Sequence, residues 1–258
     1  MNSQEVDWLL QEKYNGQESS AFWADVTRLE AGEPLAFVIG SIPFLDTTIY
    51  LDSHPLIPRP ETEFWVEQAI KAINAYPVQK HSLCILDLCA GSGCIGVAVA
   101  KACPAVQVDF SELQSAHLPT IAKNCRANDI SAERVFIYES DLFTPVKGGR
   151  LRKYDFILSN PPYIDKSLGR TESSVITHEP ALALFGGVAG MEVLAQIIAD
   201  APQYLQAGGQ LWLEHEPEQA AAICLLGAAH FSVTTHEDQY NVPRFSKLVL
   251  QSLHESIT

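Results

Sequence analysis

The sequence is poor in basic side chains. Its 258 residues include 17 Lys and Arg against 31 Asp and Glu, so the formal net charge is −14 at pH 7. Binding to nucleic acids depends largely on Lys and Arg side chains that neutralise phosphates, and the sequence contains no cluster of them. The charge balance therefore argues against a nucleic-acid partner.

Long apolar runs and paired cysteines are missing as well. No segment approaches the roughly 20 apolar residues that a membrane-spanning helix needs. The first residues, MNSQEVDWLLQEKYNG, lack the apolar core of a secretory signal. The six cysteines include no CxxC pair and no Cys/His spacing typical of a metal site. We therefore expect a cytoplasmic protein with no membrane partner, no disulfide framework and no metal.

From residue 83 onward, short apolar segments alternate with segments of helical periodicity. The predicted strands are CILDLCA, VQVDFSE, RVFIYESDLF, YDFILSN and GGQLWLEHE, and a closing hairpin is predicted in FSVTTHEDQYNVPRFSKLVLQ. Helices are predicted after the first two strands and over residues 190–206 and 217–228. This alternation predicts an α/β fold with a doubly wound, mostly parallel sheet of seven strands.

The residues before this region follow a different pattern. Two short helices are predicted within residues 4–31, and FVIGSIPFLDTTIYLD is predicted to form a hairpin or two short strands. Pro60 suits the first turn of a helix with a buried apolar face. We therefore divide the chain into a small N-terminal helical region (1–31), a linking β-hairpin (32–58) and an α/β domain (59–258).

Acidic residues end two of the predicted strands near a turn of small residues. The turn, Cys89-Ala90-Gly91-Ser92-Gly93, lets a ligand approach the backbone N–H groups at a helix N-terminus. Glu112 ends the second strand, where a carboxylate can accept hydrogen bonds from both hydroxyls of a ribose. Asp141 ends the third strand, placed to accept from an adenine amino group. Because ligands of such sheets bind at the carboxyl ends of the strands, these residues predict an adenosine-shaped pocket without phosphate chemistry.

The fourth predicted strand runs directly into Asn160-Pro161-Pro162-Tyr163. Two prolines cannot continue a strand, so the tetrapeptide forms a rigid corner. The Asn160 side-chain oxygen and the Pro161 carbonyl can each accept one N–H of a target NH2 group, which would aim its nitrogen at a reactive methyl group. The Tyr163 ring can pack against the plane of that group and exclude water.

These residues resemble class I S-adenosylmethionine-dependent methyltransferases, in which a motif like NPPY marks transfer to a planar amino or amide nitrogen. Further segments resemble the HemK-type protein-(glutamine-N5) methyltransferases, in order from about residue 32 to about 250. They are GEPLAFVIG, LIPRPETE, ILDLCAGSGCIGVAVA, SNPPYI, EPALALFGGVAG and the closing D-x-x-N-x-P-R-F. The resemblance implies methylation of the glutamine in the GGQ motif of class I peptide chain release factors.

The resemblance also implies roles for individual residues. The cofactor-binding residues would be Cys89 to Gly93, Glu112, Asp141, Leu142 and Asn160, with Arg59 and Thr62 lining the pocket from the N-terminal side. The residues Asn160, Pro161, Pro162 and Tyr163 would hold the substrate glutamine, with Asn160, Pro161 and Tyr163 acting in catalysis. A simpler interpretation of Arg59 is an ion pair with Glu61 or Glu63 at the start of the helix.

Some features depart from the family and leave more than one function open. Cys89-Ala90 replaces the usual Gly-Thr, Glu112 replaces the usual Asp, and the helical region at 1–31 is shorter than the family's N-terminal domain. Cys at the first position also occurs in a sister group that methylates a large-subunit ribosomal protein. Two further functions compete with glutamine methylation: adenine-N6 methylation of DNA or RNA, and a non-catalytic scaffold that binds S-adenosylmethionine.

Overall fold

The computed structural model describes residues 3–77, 82–145 and 152–251. Their helices are α1 Ser3–Glu12, α2 Ser20–Glu30, α3 Leu35–Ile39, α4 Pro60–Asn74, α5 Cys94–Ala102, α6 Leu118–Ala127, α7 Ser173–His178, α8 Ala181–Leu184, α9 Glu192–Asp200 and α10 Ala220–Gly227. Their strands are β1 Ser41–Phe44, β2 Thr47–Tyr50, β3 Cys84–Leu88, β4 Gln107–Glu112, β5 Val135–Asp141, β6 Thr144–Pro145, β7 Tyr154–Ser159, β8 Leu205–Glu214, β9 Phe231–Glu237 and β10 Pro243–Leu250. Short 3-10 turns occur at Ser115–His117, Ala132–Arg134, Lys166–Leu168, Val188–Gly190, Ala201–Gln203 and Pro217–Gln219.

The main sheet has the order β6-β5-β4-β3-β7-β8-β10-β9. Strands β5, β4, β3, β7 and β8 pair in parallel, whereas β10 pairs antiparallel with both β8 and β9. The predicted α/β fold with a mostly parallel sheet is confirmed. The seven predicted strands are joined by an eighth, the two-residue β6, which pairs antiparallel with β5 at the edge.

Each face of the sheet packs against its own layer of helices. Because side chains alternate across a strand, Ile85 of β3 packs with the layer of α4, α5 and α6, whereas Leu86 packs with the layer of α9 and α10. Both side chains are fully buried. Because helices cover both faces of the sheet, a ligand binds at the carboxyl ends of the strands. Glu112 and Asp141 are predicted at these strand ends.

The N-terminal helices have a small core of their own. Leu9, Phe22, Val26 and Val38 are buried and pack together, so α3 joins α1 and α2 in one apolar cluster. The division into domains at residues 31 and 58 stays a prediction. The antiparallel β1–β2 pair confirms the predicted hairpin.

Two predicted boundaries are wrong. The segment FVI at the start of the predicted hairpin is helical, because α3 follows Pro34 and ends at Gly40, whose left-handed backbone (φ 94°) closes the helix. The helix predicted over 190–206 stops at Asp200, since Ala201–Gln203 forms a 3-10 turn around Pro202, and β8 already begins at Leu205. Within the described ranges, no helix is long and apolar enough to cross a membrane.

Candidate active site

The carboxyl ends of β3, β4, β5 and β7 bring the predicted site residues to one edge of the sheet. The turn Cys89 to Gly93 follows β3, Glu112 ends β4, Asp141 ends β5, and Asn160 follows β7 directly. Because these strands run parallel, their carboxyl ends lie side by side. The structure therefore brings these four segments together at the carboxyl edge of the sheet.

Glu112 holds the small-residue turn in place. Its carboxylate accepts a hydrogen bond from the backbone N–H of Gly91 at 2.8 Å and another from that of Gln114 at 2.7 Å. Three turn residues have left-handed backbone: Cys89 (φ 61°), Gly91 (φ 54°) and Gly93 (φ 78°). Glycine adopts this conformation readily, but at Cys89 it carries strain.

A cavity of about 230 Å³ opens beside this turn and is named here the Glu112 cavity. Its lining residues are Leu56, Cys89, Gly91, Ser111, Glu112, Leu113, Gln114, His117, Ser140, Asp141, Leu142, Asn160, Pro162, Leu182, Ala183, Phe185, Val193 and Gln196. Most of the predicted cofactor residues therefore face one space. Ala90, Ser92 and Gly93 are buried within the turn and do not appear among the lining residues.

A second space of about 620 Å³, named here the Tyr163 cleft, adjoins the Glu112 cavity at the NPPY corner. Its lining residues are Leu56, Arg59, Asn160, Pro161, Tyr163, Ile164, Asp165, Leu168, Arg170, Thr171, Val175, Ala183, Leu184, Ala189, Met191, Glu216, Glu218, Gln219 and Ala222. Asn160 lines both spaces. Its amide thus stands where a ligand in the cavity and a side chain entering the cleft would meet.

The Asn160 amide is oriented by a chain of hydrogen bonds from behind. Its Nδ2 donates to Thr62 Oγ1 at 3.1 Å, and Thr62 Oγ1 donates to Glu214 Oε2 at 2.6 Å. Thr62 is buried, with 1% of its surface exposed. One N–H of the Asn160 NH2 group is therefore engaged with Thr62. The Asn160 oxygen is the atom that can accept hydrogen bonds from a ligand.

The backbone of the NPPY corner is packed tightly against the segment that contains Gly186 and Gly190. A Cβ atom at Gly186 would lie 2.5 Å from the Pro162 carbonyl oxygen, and one at Gly190 would lie within overlap distance of the Tyr163 carbonyl. Gln219 Nε2 donates to the Tyr163 carbonyl at 2.7 Å and to the Ala189 carbonyl at 3.1 Å. The glycines of the EPALALFGGVAG segment therefore allow a close approach that fixes the corner.

Arg59 pairs with neither Glu61 nor Glu63, so that interpretation is wrong. Its guanidinium donates to Glu179 Oε1 at 2.6 Å, while Glu179 Oε2 accepts from the backbone N–H of Ile57 at 3.0 Å. Arg59 lines the Tyr163 cleft, not the Glu112 cavity. Thr62 accepts a hydrogen bond from Asn160 but is not among the residues that line either space. The assignment of Arg59 and Thr62 to cofactor binding stays a prediction, as do the other residue roles.

Burial perturbs the titratable groups around the corner. It raises the pKa of the Glu214 carboxyl, against the effect of its three hydrogen-bond donors. Burial, followed by the nearby Glu214 charge, raises the pKa of the Tyr163 hydroxyl well above its usual range. Burial likewise raises the pKa of the Cys89 thiol, which keeps it protonated and poorly nucleophilic at neutral pH. In the part of the chain that the structure describes, no group of His, Cys, Asp and Glu side chains could hold a metal ion.

Sequence reasoning missed Glu214, and it named Glu179 only as part of the EPALALFGGVAG segment, without its contacts. Glu214 ends β8, so the rule that selected Glu112 and Asp141, an acid at the carboxyl end of a strand, also applies to it. Glu179 lies in a long connection between β7 and α9, and its partners are 120 and 122 positions away, which no local pattern indicates.

Comparisons with known proteins identify the family of the chain. The family model "Methyltransferase small domain" matches residues 72–182. A release factor glutamine methyltransferase of Chlamydia trachomatis serovar L2 is 34% identical over 207 residues, covering 80% of this chain and 68% of that protein. One from Streptococcus pneumoniae is 32% identical over 240 residues, covering 91% and 82%.

A solved structure shows the same fold at low identity. The catalytic domain of human METTL16, determined with an RNA hairpin, superposes with a TM-score of 0.60 at 16% identity, covering 80% of this chain and 75% of that one. Both sequence relatives exceed 30% identity over most of this chain and over more than two thirds of their own length. The chain belongs to the release factor glutamine methyltransferase family.

Proposed function

We propose that the protein transfers a methyl group from S-adenosylmethionine to the side-chain amide nitrogen of a glutamine, the one in the GGQ motif of class I peptide chain release factors. The observation that carries this proposal is the position of Asn160. Its amide lies between the Glu112 cavity and the Tyr163 cleft, with its nitrogen tied to Thr62 and its oxygen left to accept. Family membership supports the same reaction.

The residues of the Glu112 cavity fit the adenosine part of the cofactor. Each Glu112 carboxylate oxygen accepts one backbone N–H and has a lone pair left for a ribose hydroxyl. Leu113, Leu142 and Phe185 offer apolar walls to a base, beside Asp141. Among the described residues that line the cavity, none is Lys or Arg, which suits a cofactor without phosphates. When bound, S-adenosylmethionine supplies the methyl group of its sulfonium.

The substrate amide would enter through the Tyr163 cleft. An amide nitrogen is a weak nucleophile because its lone pair is delocalised into the carbonyl. The Asn160 oxygen and the Pro161 carbonyl would each accept one N–H, hold the nitrogen in line with the methyl group and stabilise the positive charge that develops on it. The nitrogen releases one proton after transfer, and N5-methylglutamine is the product. Tyr163, held by Glu214 at 2.8 Å, would keep the amide plane shielded from water.

The cellular setting follows from the substrate. Release factors act on the ribosome, so we propose a cytoplasmic location and a release factor as the partner. Direct recognition of nucleic acid is not part of the proposal, because the −14 net charge opposes phosphate binding.

A competition assay tests this proposal. Labelled S-adenosylmethionine is offered with a purified class I release factor, a mixture of large-subunit ribosomal proteins, and adenine-containing DNA and RNA. We expect label on the release factor, and no label once its GGQ glutamine is replaced by alanine. Label on a ribosomal protein alone would assign the protein to the sister group, and label on nucleic acid alone would refute glutamine methylation.

A further inference from the structure

A single buried carboxylate lies behind the NPPY corner. Glu214, the last residue of β8, has 1% of its surface exposed. It accepts three hydrogen bonds: from Thr62 Oγ1 at 2.6 Å, from Trp65 Nε1 at 2.7 Å and from Tyr163 OH at 2.8 Å. All three donors are neutral groups.

Such an environment is an unusual way to bury a carboxylate. Among the described residues, no Lys, Arg or His side chain forms a salt bridge with Glu214; the nearby Arg244, which pairs with Glu216 and Asp238, acts on the Glu214 carboxyl only through its charge, which lowers the pKa of that carboxyl. The comparable buried carboxylate Asp109, on β4, pairs with Arg152 and also accepts from Tyr154 OH at 2.8 Å. Replacement of a buried charged group by a well-packed apolar residue of similar volume is often neutral or stabilising, so stability alone gives no reason for a carboxylate here. Its hydrogen-bond partners point to a reason at the active site.

The Glu214 carboxylate decides which way the Thr62 hydroxyl points. A hydroxyl has one proton, and a carboxylate can only accept, so the Thr62 proton is directed to Glu214. The Thr62 lone pairs then face Asn160, and they require a donor there. The Asn160 amide must present its NH2 group to Thr62 and its oxygen to the ligand spaces. Reversal of the Thr62 hydroxyl would invert this orientation.

The second carboxylate oxygen fixes the other end of the corner. Tyr163 donates to Glu214 Oε1, while Thr62 and Trp65 share Oε2. The Glu214 carboxylate, on strand β8, therefore holds both ends of the tetrapeptide: Tyr163 directly and Asn160 through Thr62. Asn160 and Tyr163 line the Tyr163 cleft together.

We propose that Glu214 is a positioning residue that, through Thr62, turns the Asn160 oxygen toward the substrate amide and, directly, holds the Tyr163 ring beside it. This inference rests on the proposed function, because it names how the same site acquires its acceptor. It adds no proton transfer, and Glu214 is not among the described residues that line the Glu112 cavity or the Tyr163 cleft.

The test compares Glu214→Leu with Asp109→Asn. Leucine accepts no hydrogen bond, so the Thr62 hydroxyl can turn its proton to Asn160, and the Asn160 amide can then present its NH2 group to a substrate that also brings only N–H donors. A glutamine would leave the Thr62 hydroxyl in place, because Trp65 Nε1 can only donate and would keep the glutamine oxygen toward itself and Thr62. We expect Glu214→Leu to lower kcat about 100-fold, as loss of one preorganised group does in other enzymes, with the KM for S-adenosylmethionine within about threefold. Asp109 contacts Tyr154 at the amino end of β7, opposite the NPPY corner, so Asp109→Asn should lower the melting temperature and leave kcat unchanged.

A second pair keeps the test valid if Glu214→Leu does not fold. Thr62→Val removes the hydroxyl that accepts from Asn160, whereas Thr62→Ser restores it. We expect Thr62→Val to lower kcat as much as Glu214→Leu does, and Thr62→Ser to keep at least a tenth of the wild-type kcat. A folded Glu214→Leu or Thr62→Val protein with a kcat within threefold of wild type would overturn the inference.

A readout without turnover separates this inference from the proposed function. In 15N-labelled protein, the side-chain NH2 resonances of Asn160 should shift in Glu214→Leu and stay in place in Asp109→Asn. Unchanged resonances in Glu214→Leu would refute the relay through Thr62. If the wild-type protein left the release factor unlabelled, the proposed function would fail, while the resonances would still decide whether Glu214 orients Asn160.

Discussion

The Asn160 amide nitrogen lies 3.1 Å from the Thr62 hydroxyl, although the two residues are 98 positions apart in the chain. Thr62 belongs to α4, before the main sheet begins, and Asn160 follows the central strand β7. The contact therefore joins the helix that packs on the sheet to the corner at its edge. It leaves the Asn160 oxygen as the acceptor on which the proposed reaction depends.

The first prediction concerns Asn160 itself. Replacement by alanine removes the acceptor but leaves the Glu112 carboxylate and the turn intact. We expect kcat to fall at least about 100-fold, the order found when a preorganised stabilising group is removed, with the affinity for S-adenosylhomocysteine within tenfold of wild type. Single-turnover methyl transfer and calorimetric titration measure the two quantities. A loss of cofactor affinity with normal turnover at saturation would make Asn160 mainly a cofactor contact.

The second prediction concerns Glu112 and the ribose. In Glu112→Gln, one oxygen is replaced by an NH2 group, which cannot accept from the backbone N–H of Gly91 or Gln114 or from a ribose hydroxyl. We expect the Kd for S-adenosylhomocysteine to rise about 10- to 100-fold, because hydrogen bonds to charged groups contribute about 1.5–3 kcal/mol.

An analogue of S-adenosylhomocysteine that lacks both ribose hydroxyls provides the control. It should bind wild type more weakly but lose little further affinity to Glu112→Gln, since the contact is already gone. If Glu112→Gln weakened the binding of the analogue and of S-adenosylhomocysteine by the same factor, Glu112 would support the turn without touching the ribose. Glu112→Asp retains the charge, so its affinity for S-adenosylhomocysteine should lie between those of wild type and Glu112→Gln.

The third prediction concerns the strained backbone at Cys89. Its φ of 61° is unfavourable for a residue with a side chain, by about 1–3 kcal/mol, whereas glycine adopts it freely. Cys89→Gly removes this strain, but it also removes side-chain packing and increases the backbone entropy that the chain loses on folding. We therefore expect the free energy of unfolding to stay within about 1 kcal/mol of wild type. Cys89→Val, β-branched at positive φ, should be destabilised by about 2 kcal/mol or more.

Urea unfolding of both variants measures these changes. A glycine variant less stable than the valine variant would mean that side-chain packing, rather than backbone strain, dominates at this position. The glycine variant should also keep its cofactor affinity, because it can hold the same turn.

The sequence was sufficient to locate the residues at the strand ends but not the contacts behind them. Glu112, Asp141 and Asn160 could be placed because hydrophobic periodicity marks where a strand stops, and parallel strands end at one edge. Glu214 forms its hydrogen bond to Thr62 across 152 positions, a pairing set by how α4 packs on the sheet. No local pattern carries that information.

The two boundary errors have different causes. The segment before Gly40 has the apolar, β-branched composition of a strand, yet α3 forms because Val38 completes the small N-terminal core. Tertiary packing overrides propensity there. Likewise, the apolar run before Leu205 reads as one helix, but the 3-10 turn at Ala201–Gln203 ends it.

The last prediction concerns His215, which is fully buried beside Glu214. Its ring lies 2.8 Å from both the Glu216 carbonyl and the Ser246 hydroxyl, which suits a neutral imidazole that donates through Nδ1 and accepts at Nε2. Burial lowers the pKa of His215, so below the ordinary value of about 6.5 the unfolded chain binds a proton that the folded protein does not. Its contribution to stability is therefore complete above that value and is lost as the pH falls below it.

We expect His215→Gln to have a smaller fall in the free energy of unfolding between pH 7.5 and 5.5 than wild type, by at most about 1.4 kcal/mol per pH unit for one proton. Urea titrations at the two pH values measure this difference. His117 and His236 also have lowered pKa values, each through burial, and both remain in the variant, so a pH dependence persists in it. Identical slopes in variant and wild type would mean that His215 takes up its proton in the folded protein as readily as in the unfolded chain, which its buried hydrogen bonds should prevent.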